Sequence, residues 1–238
     1  MFSIKLNLLS VGTNAKTSKG DDKNTLTAIL YLAPNTISGY NVCPNASPGC
    51  IASCLFTAGR GAMTSVQEAR TRKTRLFFED NNLFIKLLCS DLLKFEDYCS
   101  KNNITGYVRL NGTSDIRWED IIVPDHNAYL FDLFKNLRFY DYTKIPDRLN
   151  AAKFDNYKIL YSRSELDSSE TILRQLKLGL NVSIVFEKEL PQTYLGYEVI
   201  NGDLNDLRWN DPSGVIVGLK AKGLAKKDIS GFVIRQLD

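Results

Sequence analysis

The chain predicts an α/β fold, specifically a partial (β/α) barrel of parallel strands, and three observations carry that expectation. Short apolar runs alternate with helical patterns along the chain, a spacing that calls for helical crossovers and parallel pairing. No Gly-rich phosphate loop or dinucleotide fingerprint follows the first long apolar run, which argues against a nucleotide-binding doubly wound sheet. The apolar runs also end repeatedly in polar clusters, as barrel strands do where they deliver functional groups. No linker, low-complexity run or composition shift divides the 238 residues, so one domain over 1–238 is expected.

Each element has its own justification. The stretch through Asp22, rich in Lys, Ser, Thr, Asn and Gly, predicts an early strand and a mobile loop. Leu26–Ala33 reads as a buried strand halted by Pro34. Ser65-Val-Gln-Glu68 has the form of a capping box opening a helix that carries Arg70, Arg72, Lys73 and Arg75. A second helix runs from about Asn82 to Cys99, with Phe84, Leu87, Leu88, Leu92 and Phe95 spaced for burial. Tyr107–Asn111, Phe139–Thr143 and Tyr157–Tyr161 read as strands, with a short helix near Tyr129–Phe134 between the first two. A helix over Ser169–Leu178 stops at Gly179. Asn181–Phe186, Tyr197–Ile200 and Gly214–Leu219 complete the series of strands.

Composition excludes several functional classes. Thirty basic and 27 acidic residues give a net charge of +3, which carries no overall nucleic-acid signature. No signal peptide opens the chain and no apolar stretch is long enough to cross a bilayer, so a cytoplasmic protein with no membrane partner is expected. In a reducing compartment the five cysteines read as metal ligands rather than disulfides. The single histidine, His126, rules out a multi-histidine metal centre within one chain. Its setting, Pro-Asp-His-Asn, is that of a surface or capping residue.

Cys43, Cys50 and Cys54 fall within twelve residues on a loop stiffened by Pro44 and Pro48 and turned at Gly49. Three soft thiolate donors on one loop suit a soft metal or an iron–sulfur cluster, and three protein ligands leave a coordination position open. Four arrangements fit: a [4Fe-4S] cluster, a closed zinc site completed by Cys89 or Cys99, an open zinc site, or thiols without metal. Gaps of six and three residues depart from the paired knuckles of structural zinc sites.

The strand ends supply further candidates. Asn111-Gly-Thr-Ser114-Asp115 follows the second strand, Asp141-Tyr-Thr-Lys144 the third, and Ser162-Arg163-Ser164-Glu165 the fourth. Later come Asn201-Gly-Asp203-Leu-Asn-Asp206-Leu-Arg208-Trp-Asn-Asp211 and Lys220-Ala-Lys222. Any single cluster is explained by a cap or a surface ion pair; their recurrence at one end of the strands points to a shared pocket. Asp-x-Arg-Trp occurs at 115–118 and again at 206–209, either as a ligand wall or as two tryptophan-anchored turns. Asp203, Asp206 and Asp211 could hold a hard cation, without matching an EF-hand loop. The basic stretch Arg70–Arg75 reads as a solvated helix face, with phosphate contact or cluster-charge balance as its functional alternatives.

The run Leu32–Asp80, Asn111–Ile116, Phe139–Lys144, Tyr161–Ser164 and the Asn201-Gly-Asp-x-x-Asp-x-Arg element together resemble the phage gene product 88 family over nearly the whole chain. That resemblance implies a phage protein acting in the cytoplasm of an infected bacterial host. A looser resemblance connects the chain to the radical S-adenosylmethionine superfamily, whose partial (β/α) barrel carries three cluster-binding cysteines after its first strand. The superfamily mostly uses Cys-x3-Cys-x2-Cys, whereas this loop is Cys-x6-Cys-x3-Cys. The second resemblance implies an enzyme in which Cys43, Cys50 and Cys54 bind a [4Fe-4S] cluster. Asn111, Ser114 and Asp115 would then position S-adenosylmethionine, and Ser162 and Arg163 would contact its ribose or carboxylate. Asp203, Asp206 and Lys220 would face an unidentified substrate. The alternative partner classes are nucleic acid and a host protein, with α-helical Arg70–Arg75 and the tryptophan turns as the contact surface.

Overall fold

A computed structural model describes residues 5–12 and 24–235, which form a mixed α/β structure around one mostly parallel sheet. The strands are β1 (Leu9–Val11), β2 (Thr25–Leu30), β3 (Thr105–Arg109), β4 (Ile122–Val123), β5 (Ala128–Tyr129), β6 (Arg138–Thr143), β7 (Tyr157–Ser162), β8 (Val182–Phe186), β9 (Thr193–Tyr194), β10 (Tyr197–Asn201), β11 (Ile216–Lys220) and β12 (Val233–Ile234). The α-helices are α1 (Pro48–Ala52), α2 (Thr64–Glu79), α3 (Asn81–Lys101), α4 (Leu130–Leu133) and α5 (Ser169–Lys177).

The main sheet has the order β1-β2-β3-β6-β7-β8-β11-β10-β9, and β4 and β5 form a separate hairpin. Every pairing from β2 to β10 is parallel, while β1 and β9 flank the sheet as antiparallel edges. From β2 to β8 the spatial order follows the chain order without reversal. Right-handed crossovers advancing in one direction all fall on one face of a sheet. Accordingly Leu26, Ala28, Leu30, Val108, Leu110 and Phe139 pack with Phe84, Leu88, Leu92 and Phe95 of α3, and Val182, Ile184 and Ile216 pack with Ile172 and Leu176 of α5. Because side chains alternate along a strand, the opposite face carries Ile29, Tyr31, Tyr107, Arg109, Tyr140, Tyr142 and Lys158. The connection from β10 to β11 crosses this second face, seating Leu207 and Trp209 against Tyr107 and Tyr140. Among the described residues no pairing joins the β1 edge to the β9 edge, so the sheet is open.

One strand is shared in an unusual way. β7 pairs with β8 only at Tyr161↔Val182 and Ser162↔Ser183, and β12 takes over the same edge of β8 at Val185 and Phe186. The last described strand therefore fills the gap where β7 and β8 part.

One expectation is corrected. Ser65 does not cap α2: the helix begins at Thr64, and its N-cap, Met63, makes no side-chain capping bond. His126 is a surface residue, exposed in the turn between β4 and β5, and caps no helix. The early strand is β1, and the loop expected through Asp22 lies largely outside the described residues.

Asp91 of α3 fastens β1 to the core. Its fully buried carboxylate accepts hydrogen bonds from the Asn7, Leu8 and Leu9 amides at 2.6–3.1 Å and from Asn7 Nδ2 at 3.1 Å. Asp91→Ala strands those donors, so we expect a stability loss of about 3 kcal/mol in urea titration, with amide exchange at Leu8 and Leu9 rising first.

Candidate functional site

The loop after β2 carries the three candidate sulfur ligands. Cys43 follows an Asx turn in which its amide donates to Asn41 Oδ1 at 2.8 Å, and its Sγ lies 3.7 Å from the Thr113 carbonyl oxygen. Cys50 sits on α1, a single helical turn capped by Ser47 and begun by Pro48, whose fixed φ and missing N–H suit that position. Cys54 ends this segment just before a 3-10 turn at Leu55–Thr57. All three thiols are half-buried and free. Burial pushes each upward, Cys43 to about 12, and each of Cys50 and Cys54 adds to the rise at Cys43. The three sulfurs thus lie within electrostatic reach of one another. Among the described residues, however, no three His, Cys, Asp or Glu side chains are arranged around a single metal ion. Cys89 and Cys99 lie on α3, packed into or against the main core.

Two cations flank the sulfurs. Lys144 follows β6 and donates through Nζ to Ser162 O, Ser162 Oγ and Arg163 O at 2.7–2.9 Å. Burial lowers the Lys144 pKa while Cys50 opposes that fall, and Lys144 in turn draws the Cys50 thiol down. Arg70, on α2, does the same for Cys54. Its guanidinium stacks over Tyr31 at 4.6 Å and Phe56 at 5.4 Å. Arg70 Nε and Nη1 are buried without a hydrogen-bond partner among the described residues. A buried cation in that condition is costly unless an anion completes it.

The cysteine loop is held by the segment after β7. Glu165 accepts from Ser47 Oγ at 2.6 Å and from the Gly49 amide at 2.7 Å. A side chain at Gly49 would meet Ser230 Oγ at 2.4 Å and Phe232 Cβ at 2.8 Å, so only glycine allows this approach. Arg163 Nη1 donates to the Gly231 and Phe232 carbonyls at 2.8 and 3.1 Å, and Lys144 lies 4.9 Å from the Phe232 ring centre. Burial pushes the Glu165 carboxyl up, but the bonds from Ser47 and Gly49 outweigh it and hold the group below its ordinary value of 4.5. A depressed carboxyl stabilises docking above its unfolded pKa and loses that contribution as pH falls through the folded value. Protection of the Gly49 amide, corrected for intrinsic exchange, is therefore expected to drop as pH is lowered past the ordinary carboxylate range, and Glu165→Gln should show no such dependence.

The segment after β3 is organised internally. Asn111 Oδ1 accepts from Ser114 Oγ, the Ile116 amide and Trp118 Nε1 at 2.9–3.1 Å, and its Nδ2 donates to Ile116 O at 2.9 Å. Asp115 accepts from Thr143 Oγ1, the Lys144 amide and Arg148 Nη1 at 2.7–3.1 Å. Asn111 and Ser114 thus shape the loop whose Thr113 carbonyl meets Cys43, and Asp115 joins that loop to the end of β6. Arg148 also forks onto Glu119 through Nε and Nη2 at 2.7 and 2.6 Å.

Of the remaining candidates, Asp203 and Lys220 meet while Asp206 pairs elsewhere. Asp203 accepts from the Lys220 amide at 2.8 Å and from Lys222 Nζ at 2.6 Å, so Lys220 meets it through backbone alone. Asp206 instead accepts from Arg109 Nη1 at 3.0 Å beneath the β10–β11 connection. In the sheet order five strands stand between β2 and β10. On α2, Lys73 Nζ donates to Leu8 O, Arg75 Nε donates to Ser38 O at 3.2 Å, and Arg72 lies 4.0 Å from Glu68.

Sequence reasoning grouped Lys144 and Glu165 with polar strand ends but assigned neither a role, and it placed Arg70 on a solvated face. Arg148 drew no attention, since an arginine after Ile-Pro-Asp carries no local sign of burial. Among the described residues no helix is long and apolar enough to cross a membrane. No curated protein matches this chain, and no solved structure matches it. Residues 7–236, which include every strand and loop of the site, match the model of the phage family described as gene product 88, and the chain belongs to that family.

Proposed function

We propose that this protein is an iron–sulfur enzyme of the radical S-adenosylmethionine type, built on a partial (β/α) barrel and working in the cytoplasm of the infected bacterium. The observation that carries the reading is the set of three half-buried free thiols on the one loop after the first parallel strand, with Lys144 acting on Cys50 and Arg70 on Cys54. The fold supports it in two ways. Strand order follows chain order from β2 to β8, with the helices α3 and α5 on one face, which is how a barrel winds. The segments after β2 and β11 also touch, a Cβ at Gly223 falling 3.5 Å from Ala58 Cβ, although four strands separate them in the sheet.

In this reading Cys43, Cys50 and Cys54 hold a [4Fe-4S] cluster. When bound, such a cluster would supply one electron to S-adenosylmethionine. The protein's own part is to hold the three thiols on one loop and to compensate their charge. Ligation removes the protons that burial otherwise retains, and Lys144 and Arg70 offset the negative charge that results. Arg70 Nε and Nη1, buried without a partner among the described residues, suit an anionic centre at this place. Asn111, Ser114 and Asp115 position the loop behind Cys43, and Ser162 and Arg163 hold Lys144 in place through their carbonyls.

Zinc is the alternative occupant. Gaps of six and three residues between the cysteines depart from the paired knuckles of structural zinc sites, which is what favours iron–sulfur over a single ion. The non-enzymatic reading, a phage module binding nucleic acid or a host protein through α2, loses support because Arg70 is buried and Lys73 is tied to Leu8. Anaerobic reconstitution with iron and sulfide is expected to give broad visible absorption that bleaches with dithionite. A colourless protein carrying zinc by elemental analysis would overturn the proposal.

A further inference from the structure

A second polar cluster lies on the sheet face opposite α3, under the β10–β11 connection. Arg109 from the end of β3 stacks its guanidinium 4.5 Å from the Tyr142 ring centre and pairs with Asp206 at 3.0 Å. Arg208, only 6 % exposed, donates through Nη2 to Asn205 O at 2.6 Å and lies 3.2 Å from Asp211 through Nη1. Gly202 leaves room for it: a Cβ there would sit 3.1 Å from Arg208 Nη1. Tyr140, 1 % exposed, and Tyr142 project from β6 into the same space, where Asp206, Arg109 and Arg208 all act on both phenols.

Hydrogen bonding in this cluster is incomplete, and mostly on the donor side. Arg109 Nε, Arg208 Nε and Nη1, Tyr140 OH and Tyr142 OH are all buried with no hydrogen-bond partner among the described residues, against a carboxylate oxygen in the same condition, Asp211 Oδ2, which lies 3.2 Å from Arg208 Nη1 as an ion pair. Buried polar groups in native proteins are nearly always satisfied, so several orphaned groups on one face call for a missing acceptor. Charge agrees with the donor count. Arg109, Arg208, Lys158 and Arg138 set four cations against the carboxylates of Asp206 and Asp211, Lys158 and Arg138 lying over Trp209 at 4.7 and 5.7 Å. A cavity meets one side of the cluster. Among the described residues β7 has no β8 partner from Tyr157 to Leu160, and a cavity of about 260 Å3 there, lined also by Asp141 and Arg148, reaches the cluster at Lys158, Arg208 and Asp211.

We propose that this cluster binds the oxyanion group, phosphate or carboxylate, of a small ligand. The Nε–H groups of Arg109 and Arg208 and the hydroxyls of Tyr140 and Tyr142 are its donors. Charge-assisted bonds from guanidinium and phenol to an oxyanion are the strong kind. The site adds a ligand class to the function proposed above, since it holds Asp206, but its binding step needs no cluster.

The test uses the full chain as purified, without reconstitution, titrated with inorganic phosphate or acetate at constant ionic strength and followed calorimetrically. Saturable binding of either anion is expected, and the preferred one identifies the group. Tyr142→Phe should weaken binding by about tenfold, the effect of one bond to a charged acceptor, while leaving the melting temperature without anion unchanged. Arg208→Gln should abolish binding, and Cys50→Ala should bind as the parent does. Absence of saturable binding to both anions, or Tyr142→Phe binding like the parent, overturns the proposal. Should Arg208→Gln not fold, the tyrosine variant decides. Loss of the cluster with retained anion binding would overturn only the enzymatic reading.

Discussion

Arg148→Met is expected to lower the unfolding free energy by about 3–5 kcal/mol, a large share of what a domain of this kind possesses. The guanidinium and Glu119 are both fully buried, and Asp115 is only 7 % exposed. Arg148 forks onto Glu119, reaches Asp115 at 3.1 Å and caps the Ile116 carbonyl at 2.8 Å. A planar fork matches a carboxylate in a way no other side chain does. Methionine fills part of the volume but leaves two buried carboxylates without their cation, and that uncompensated charge is the main cost. Urea titration of Arg148→Met against Arg148→Met/Glu119→Leu separates the causes. If charge is what matters, removing the second member restores part of the lost stability. If the double variant is no more stable than the single one, packing rather than charge is responsible.

Alanine at Cys43, Cys50 or Cys54 is expected to abolish the visible absorption of the reconstituted protein, whereas alanine at Cys89 or Cys99 should leave it intact. The contrast follows from placement. The first three share one loop, while the other two belong to the packed side of α3. Iron and sulfide content per chain, with the absorption spectrum, checks it. Retention of the chromophore in any of the first three variants, or its loss in Cys89→Ala, would remove the cluster from this loop. Cys99→Ala needs separate attention, since Cys99 is 3 % exposed and its removal opens a small cavity; its spectrum should be read only after its fold is verified.

Much of the fold is legible in the sequence because it rests on local pattern. The apolar periods of Asn81–Lys101 and Ser169–Lys177, and the strands at Arg138–Thr143 and Tyr157–Ser162, fall within a residue or two of where periodicity puts them. Pairing is less legible. That β11 rather than β10 lies next to β8 depends on contacts between distant segments, which no local window contains. Burial of Arg70 was hidden for a related reason: α2 is polar along most of its length, and the aromatic rings that cover the arginine, Tyr31 and Phe56, come from outside it. The repeated Asp-x-Arg-Trp is real as local structure, since both copies form 3-10 turns with an Arg–Asp pair three residues apart. Their surroundings then diverge. Trp118 is fully buried and Arg117 exposed, whereas Trp209 is half-buried and Arg208 enclosed. A motif specifies its own turn, and the sheet it lands on decides which side chain is hidden.

The sharing of β8 between β7 and β12 has a consequence for the order of events during synthesis. Ser230 and Phe232, which crowd Gly49, and the two carbonyls that grip Arg163 all belong to the stretch leading into β12. Cys54 leaves the ribosome some 180 residues before that stretch does. The thiols must therefore wait, unsheltered, for nearly the whole polypeptide to emerge. A nascent chain stalled short of residue 232 should leave Cys43, Cys50 and Cys54 more reactive towards a thiol-alkylating reagent than the finished protein does.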